Sequence, residues 1–183
     1  MTLFINAAFR SDSRTLRLAK AYLKKCDGAV CEIDLGTTVV RPLDAQSLAA
    51  YNQSVAAHCF DDTMFDFAKQ FAAADQIVIA APFWNFSIPA VLHGYLELVC
   101  TQGITFDLSP EGCYYSKCKA KKLVYITTSG GFIPQEDHAF GYIRSLAKAF
   151  WNDPDVQYVK AEGLDIYGTD VERKLAEAME NAE

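Results

Sequence analysis

The sequence predicts an α/β protein, a three-layer α/β/α sandwich around a five-stranded parallel sheet. Three observations lead there. Five short apolar runs alternate with stretches whose apolar residues recur at helical spacing, giving the order β-α-β-α-β-α-β-α-β-α. The runs are continuous rather than alternating, as in Leu3-Phe4-Ile5 and Ile77-Val78-Ile79-Ala80-Ala81, which is how strands buried on both faces read. No repeat or linker interrupts the alternation, so residues 1–183 are expected to form one domain.

The first strand is expected over Thr2 to Ala8. The polar loop Phe9-Arg10-Ser11-Asp12-Ser13-Arg14-Thr15 follows, and Leu16, Ala19 and Leu23 then share one helical face. A hydroxyl-and-arginine loop feeding a helix suits an anion: free N–H groups, the helix dipole, Ser13, Arg14 and Thr15 all favour a phosphate. A loop whose serine only caps the helix is the other reading. Neither a Walker loop nor a glycine-rich dinucleotide loop is present, which removes support for ATP and for Rossmann-style NAD binding.

Ala29 to Leu35 reads as the second strand. Gly36 to Cys59 is broken by Pro42 and has helical leanings from Asp44 to Ala57; cover for a site and plain connection are both open. Asp61 or Asp62 is expected to cap a helix carrying Met64, Phe67, Ala68 and Phe71 on one buried stripe. The third strand starts at Gln76 and must stop at Pro82, which cannot donate to a ladder. Phe83-Trp84-Asn85-Phe86 follows, a loop of aromatics around one amide that suits a flat, polar-edged ring; packing of Phe83, Trp84 and Phe86 in a core or an interface is the plainer alternative. Ser87 is expected to cap the next helix, with Pro89 in its first turn and Val91, Leu92, Tyr95, Leu96 and Val99 continuing it.

Thr101 to Phe106 breaks that pattern with Gly103, and Asp107 to Lys122 is polar, ending in the lysines 117, 119, 121 and 122. Leu123 to Thr127 is the fourth strand. Thr128-Ser129-Gly130-Gly131 follows it, and paired glycines there allow either a sharp turn or a close approach of backbone to a ligand. A helix is expected from Phe140 to Trp151 and a last strand from Val156 to Leu164. Thr169 is expected to cap a final helix with Val171, Leu175, Ala178 and Met179.

Composition narrows the function. Hydrophobic residues make up 51% and charged residues 22%, an ordinary globular balance. The net charge of -6 argues against nucleic acid and anionic membrane as partners. The six cysteines form no Cys-x-x-Cys pair and have no histidine at ligand spacing, so no metal site is expected. They read as free thiols of a reducing compartment. With no apolar run of spanning length and no signal peptide at Thr2-Leu3-Phe4-Ile5, a cytoplasmic protein is expected.

With polar loops after strands one, three and four, the chain resembles the flavodoxin-like NAD(P)H:quinone reductase and FMN-dependent azoreductase family. The stretch Ala81-Pro82-Phe83-Trp84-Asn85-Phe86-Ser87-Ile88-Pro89 is similar to that family's strand-three motif. Gly103-Ile104-Thr105-Phe106, Ser129-Gly130-Gly131 and Ala161-Glu162-Gly163-Leu164 match it in order. The resemblance implies a flavodoxin-like sheet of order 2-1-3-4-5, whose three loops meet at the switch point where FMN sits. It implies that Ser13, Arg14 and Thr15 hold the FMN phosphate. Pro82, Phe83, Trp84, Asn85 and Phe86 would line the isoalloxazine and ribityl chain, and Thr128, Ser129, Gly130 and Gly131 would contact the pyrimidine edge. A homodimer is implied, with NADH or NADPH as co-substrate and a quinone, azo or nitro compound as small-molecule acceptor. The chain departs from the family at Asn6-Ala7-Ala8, where a serine is usual, and at Phe132-Ile133-Pro134, where azoreductases often carry a histidine. No residue stands out as an obligatory general base. The alternative is a flavodoxin-type electron carrier, for which an acidic surface would steer docking to a basic protein partner; a flavin-free scaffold is a lesser one.

Overall fold

The structure is a computed structural model and describes residues 1–182. Five parallel strands form the central sheet: β1 (Thr2–Asn6), β2 (Val30–Asp34), β3 (Gln76–Ala80), β6 (Lys122–Thr128) and β7 (Asp155–Ala161). Their spatial order is β2-β1-β3-β6-β7, which is 2-1-3-4-5 when the parallel strands are counted along the chain. The expected flavodoxin-like order is therefore observed. The chain reverses direction across the sheet between β1 and β3, which pair in register from Thr2↔Gln76 to Asn6↔Ala80.

The continuous apolar runs have a simple cause. Successive side chains of a strand point to opposite faces, and here both faces are covered. Leu3, Ile5, Ile77, Ile79, Leu123 and Tyr125 pack on one side with residues of α3 (Asp66–Ala73), α4 (Ala90–Val99) and α5 (His138–Phe150). Phe4, Val78, Ala80, Val124 and Ile126 pack on the other with α1 (Arg14–Leu23) and α6 (Val171–Glu180). On α1 the buried residues Thr15, Leu18, Ala19 and Tyr22 keep the spacing of one stripe, so its first turn is pinned to the sheet beside the end of β6.

The helical leanings from Asp44 to Ala57 are realised as a further helix, α2 (Ala45–Ala56), capped by Asp44 and burying none of its residues. Other expectations needed correction. The polar stretch after α4 contains a small antiparallel hairpin, β4 (Phe106–Leu108) with β5 (Tyr114–Ser116). Ser87 does not cap α4: the capping position is Pro89, with no side-chain bond, and Ser87 Oγ lies 3.2 Å from His93 Nε2. Thr169 does not cap α6 either. Asp170 accepts from Arg173 N, while the Thr169 hydroxyl donates to Gly163 O at 3.0 Å. Helix α5 starts two residues before Phe140, because Asp137 accepts from the N–H groups of Ala139 and Phe140. Strand β7 ends at Ala161, and Glu162 to Leu164 form a loop. Asp62, one of two expected caps, begins a short 3-10 turn leading into α3.

No helix among the described residues is long and apolar enough to cross a membrane.

Candidate functional site

Three loops leave the carboxyl ends of β1, β3 and β6 and meet over a cleft of ≈ 260 Å³. A fourth, after β7, supplies Leu164 and Asp165 to its wall. The expected residues Ser13, Arg14, Thr15, Pro82, Phe83, Trp84, Thr128, Ser129 and Gly130 all line it.

The loop after β1 is shaped by its own side chains. Asn6 Oδ1 accepts from Ala8 N at 3.0 Å and its amide donates to Glu32, so this side chain orders the turn out of the strand. Ser13 caps α1, accepting from Leu16 N at 3.1 Å. The capping reading of the serine is thus realised, and it does not exclude the anion reading. Among the described hydrogen bonds the N–H groups of Arg14 and Thr15 have no acceptor, which leaves two donors at the positive end of the helix dipole. The Thr15 hydroxyl is turned inward and shares a 2.6 Å hydrogen bond with Thr128 Oγ1.

The arginines of this loop are already matched. Arg10 grips Asp12 with two hydrogen bonds of 3.1 and 3.0 Å. The hydrogen bond and charge of Arg10 hold the Asp12 carboxyl below its ordinary range. Arg14 reaches Asp165 at 2.6 Å. Asp12 and Asp165 bring negative charge into the cleft beside these arginines.

The aromatic loop after β3 is a tight hairpin turn. Trp84 N donates to Ser87 O at 3.0 Å and Ser87 N to Trp84 O at 2.9 Å. Asn85 and Phe86 between them both have positive φ, 50° and 64°, as a type I′ turn requires. This geometry separates the four residues. Phe83 and Trp84 line the cleft, and Trp84 packs edge-on against Phe9 with centroids 6.3 Å apart. Asn85 and Phe86 lie at the turn's tip, outside the cleft lining, with Phe86 65% exposed. Of the plainer readings, packing in a core does not hold for the exposed Trp84 and Phe86, and packing in an interface stays open.

The loop after β6 is tied to the loop after β7. The carbonyls of Ser129, Gly130 and Gly131 accept from Leu164, Asp165 and Gly163 at 3.1, 2.9 and 2.8 Å. The N–H groups of Gly130 and Gly131 have no acceptor among the described bonds, so they remain for a ligand. A Cβ at Gly130 would come within 2.1 Å of Asp165 Oδ2, whereas one at Gly131 would meet nothing within 4 Å. Gly130 is closed by a carboxylate; Gly131 is an exposed rim residue outside the lining.

Ala8, Phe9, Arg10, Asp12, Leu164 and Asp165 also line the cleft, beyond the residues expected to hold the cofactor. Arg10 and Asp12 sit within the polar loop noted in the sequence. Asp165 is one acidic residue after an apolar run and carries no local signal.

A doubly wound parallel sheet with a cleft of free N–H groups and flat apolar walls at its switch point defines a class of α/β ligand-binding proteins. Within that class the chain belongs to the family described by its flavodoxin-like fold, which matches residues 1–183. A relative from Coprothermobacter proteolyticus, an FMN-dependent NADH:quinone oxidoreductase, is 30% identical over 187 residues, spanning 97% of this chain and 92% of that one. An azoreductase structure from Bacillus anthracis superposes with a TM-score of 0.84 at 25% identity, covering 99% of this chain and 95% of that chain. A second structure from that organism, an FMN-dependent NADH-azoreductase in complex with FMN, has a TM-score of 0.83 at 22% identity over 99% of this chain and 95% of the other, a likeness of fold alone.

Proposed function

We propose that this protein is an FMN-dependent NADH:quinone oxidoreductase that also reduces azo or nitro compounds, with residues 1–183 acting as one domain. The observation that carries the reading is the convergence of three loops on one cleft whose free donors and flat walls match the parts of a flavin mononucleotide. Membership of the family and the quinone oxidoreductase relative support it.

The chain's residues fit the cofactor on their own chemistry. The N–H groups of Arg14 and Thr15, together with Ser13 and the Arg14 guanidinium, would hold the phosphate at the α1 terminus. Pro82, Phe83 and Trp84 would flank the ring and keep water from one side. The N–H groups of Gly130 and Gly131 would face its pyrimidine edge, where negative charge gathers on reduction, and stabilise it as fixed dipoles do elsewhere. Asn85 and Phe86 at the exposed tip would close over the ring or meet a second subunit. FMN, when bound, supplies two-electron hydride chemistry between NADH and the acceptor. The protein's part is to bind, orient and exclude water.

The same reading makes the protein a cytoplasmic homodimer. All six cysteines are unpaired, which suits a reducing compartment. Trp84 and Phe86 leave large apolar rings uncovered beside the cleft, and a second copy would shield them.

The test is spectroscopic. Protein mixed with FMN and freed of excess should be yellow. Rapid mixing with NADH should bleach the flavin band in one phase before any quinone is added, and added quinone should restore it. Colourless protein, or a band untouched by NADH and NADPH alike, would overturn the reading.

A further inference from the structure

We propose that Asp165 is an internal stand-in for the cofactor phosphate. Its carboxylate holds the Arg14 guanidinium in the flavin-free protein and releases it when FMN docks, so this one side chain limits how strongly the site prefers FMN to riboflavin. The proposal rests on the FMN reading given above.

Arg14 is the first residue of α1, and no acidic residue occupies the first turn of that helix. The carboxylate that meets its guanidinium comes from 151 residues further along the chain, at 2.6 Å. Asp165 reaches it from a fixed base: its own N–H donates to Gly130 O at 2.9 Å, and the preceding Leu164 N donates to Ser129 O at 3.1 Å. The carboxylate also closes over Gly130, with Oδ2 2.1 Å from where a Cβ would stand, so it lies inside the cleft. The second arginine of the loop, Arg10, pairs with its neighbour Asp12 and not with Asp165.

The pair is built to open. Its side chains are 37% and 70% exposed, so neither charge has been taken fully out of water. Rotation of the Asp165 side chain alone frees Arg14, because the backbone bonds of the loop do not involve that side chain. A flavin phosphate offers more charge and more acceptor oxygens than one carboxylate, and the unpaired N–H groups of Arg14 and Thr15 add donors that Asp165 does not use. The phosphate therefore displaces the carboxylate, at the expense of the broken pair. Riboflavin has no phosphate and leaves the pair intact.

The test is a titration of the flavin-free full chain with FMN and, separately, riboflavin, read by quenching of flavin fluorescence. Wild type, Asp165→Asn, Arg14→Met and the double variant are compared, with circular dichroism melts as the control for folding. Asp165→Asn should tighten FMN by about two- to fivefold, the range that loss of one exposed ion pair commands, and leave riboflavin unchanged. In the Arg14→Met background the same change should have a smaller effect. FMN affinity unchanged or weakened by Asp165→Asn, or riboflavin tightened equally, would overturn the proposal while leaving the FMN reading standing. Wild-type protein that binds neither flavin would overturn both.

Discussion

The hydroxyls of Thr15 and Thr128 lie 2.6 Å apart, joining the first turn of α1 to the carboxyl end of β6. Both residues are buried, so this bond sits beneath the cleft and ties its phosphate-side loop to its ring-edge loop. A single valine at either position leaves the other hydroxyl buried without its partner, which costs about 1–3 kcal/mol. Two valines remove both polar groups in nearly the same shape and should cost less than the two single changes combined. Thermal or urea unfolding of Thr15→Val, Thr128→Val and the double variant would show this coupling. Strict additivity would mean that the two hydroxyls do not depend on each other.

Phe86 holds φ at 64° at the tip of the β3 loop, a conformation glycine adopts without strain. Keeping a bulky residue there costs on the order of 1–2 kcal/mol. Glycine's greater freedom in the unfolded chain offsets about 0.5–1 kcal/mol of this, so Phe86→Gly should stabilise the free protein by at most about 1 kcal/mol, a rise of a few degrees in melting temperature. If the ring at this tip covers the cofactor, the same change should weaken FMN binding. A variant less stable than wild type would show that Phe86 packs better than its 65% exposure implies.

How much of this could be read from the chain depends on whether a feature was local. The sheet was legible because its middle strands are buried on both faces, which only continuous apolar runs satisfy. The three cleft loops were legible because each follows such a run directly. Caps were less so: Thr169 stands one residue before Asp170, whose carboxylate takes the cap, and Ser87 stands two residues before Pro89, a capping position with no side-chain bond. The β4–β5 hairpin was invisible, since Tyr114-Tyr115-Ser116 is only three residues long and mostly exposed. Asp165 had no signal at all, because its role comes from a partner 151 positions away. Phe86 and Trp84 shared one motif, yet the tight turn between them puts one at the tip and the other on the wall.

Tyr158 donates to Asp137 Oδ2 at 2.5 Å, while Oδ1 of the same carboxylate caps α5 through Ala139 and Phe140. Burial first, and then the carboxylate beside it, push the Tyr158 phenol well above its ordinary range. One phenol thus orients the residue that starts a helix. Tyr158→Phe should destabilise the protein by about 1.5–3 kcal/mol through loss of a hydrogen bond to a charged group. The ring stacking on Phe140, with centroids 4.1 Å apart, should survive it. An unchanged urea midpoint would place the capping carboxylate under the control of the backbone donors alone.

Cys100 at the end of α4 and Cys118 just after the hairpin make stability fall at alkaline pH. Burial pushes the Cys100 thiol from its ordinary 9.0 up to about 12, with the neighbouring Cys118 adding a smaller push, and burial lifts Cys118 to about 11. The folded chain therefore keeps these protons to higher pH than the unfolded chain does. Below pH 9 both states are protonated and the thiols add no pH dependence. Between 9 and about 12 the unfolded state releases the Cys100 proton first, so stability falls as pH rises. One such group contributes at most about 1.4 kcal/mol per pH unit. Urea midpoints should accordingly drop from pH 8 to pH 11. Buried tyrosines push the same way, since burial also raises Tyr95 and Tyr125, so the decisive measurement is a difference. Cys100→Ala should lower stability at pH 8 through the lost packing, yet flatten the alkaline slope. An alkaline slope identical in wild type and Cys100→Ala would show that this thiol is not held protonated by the fold.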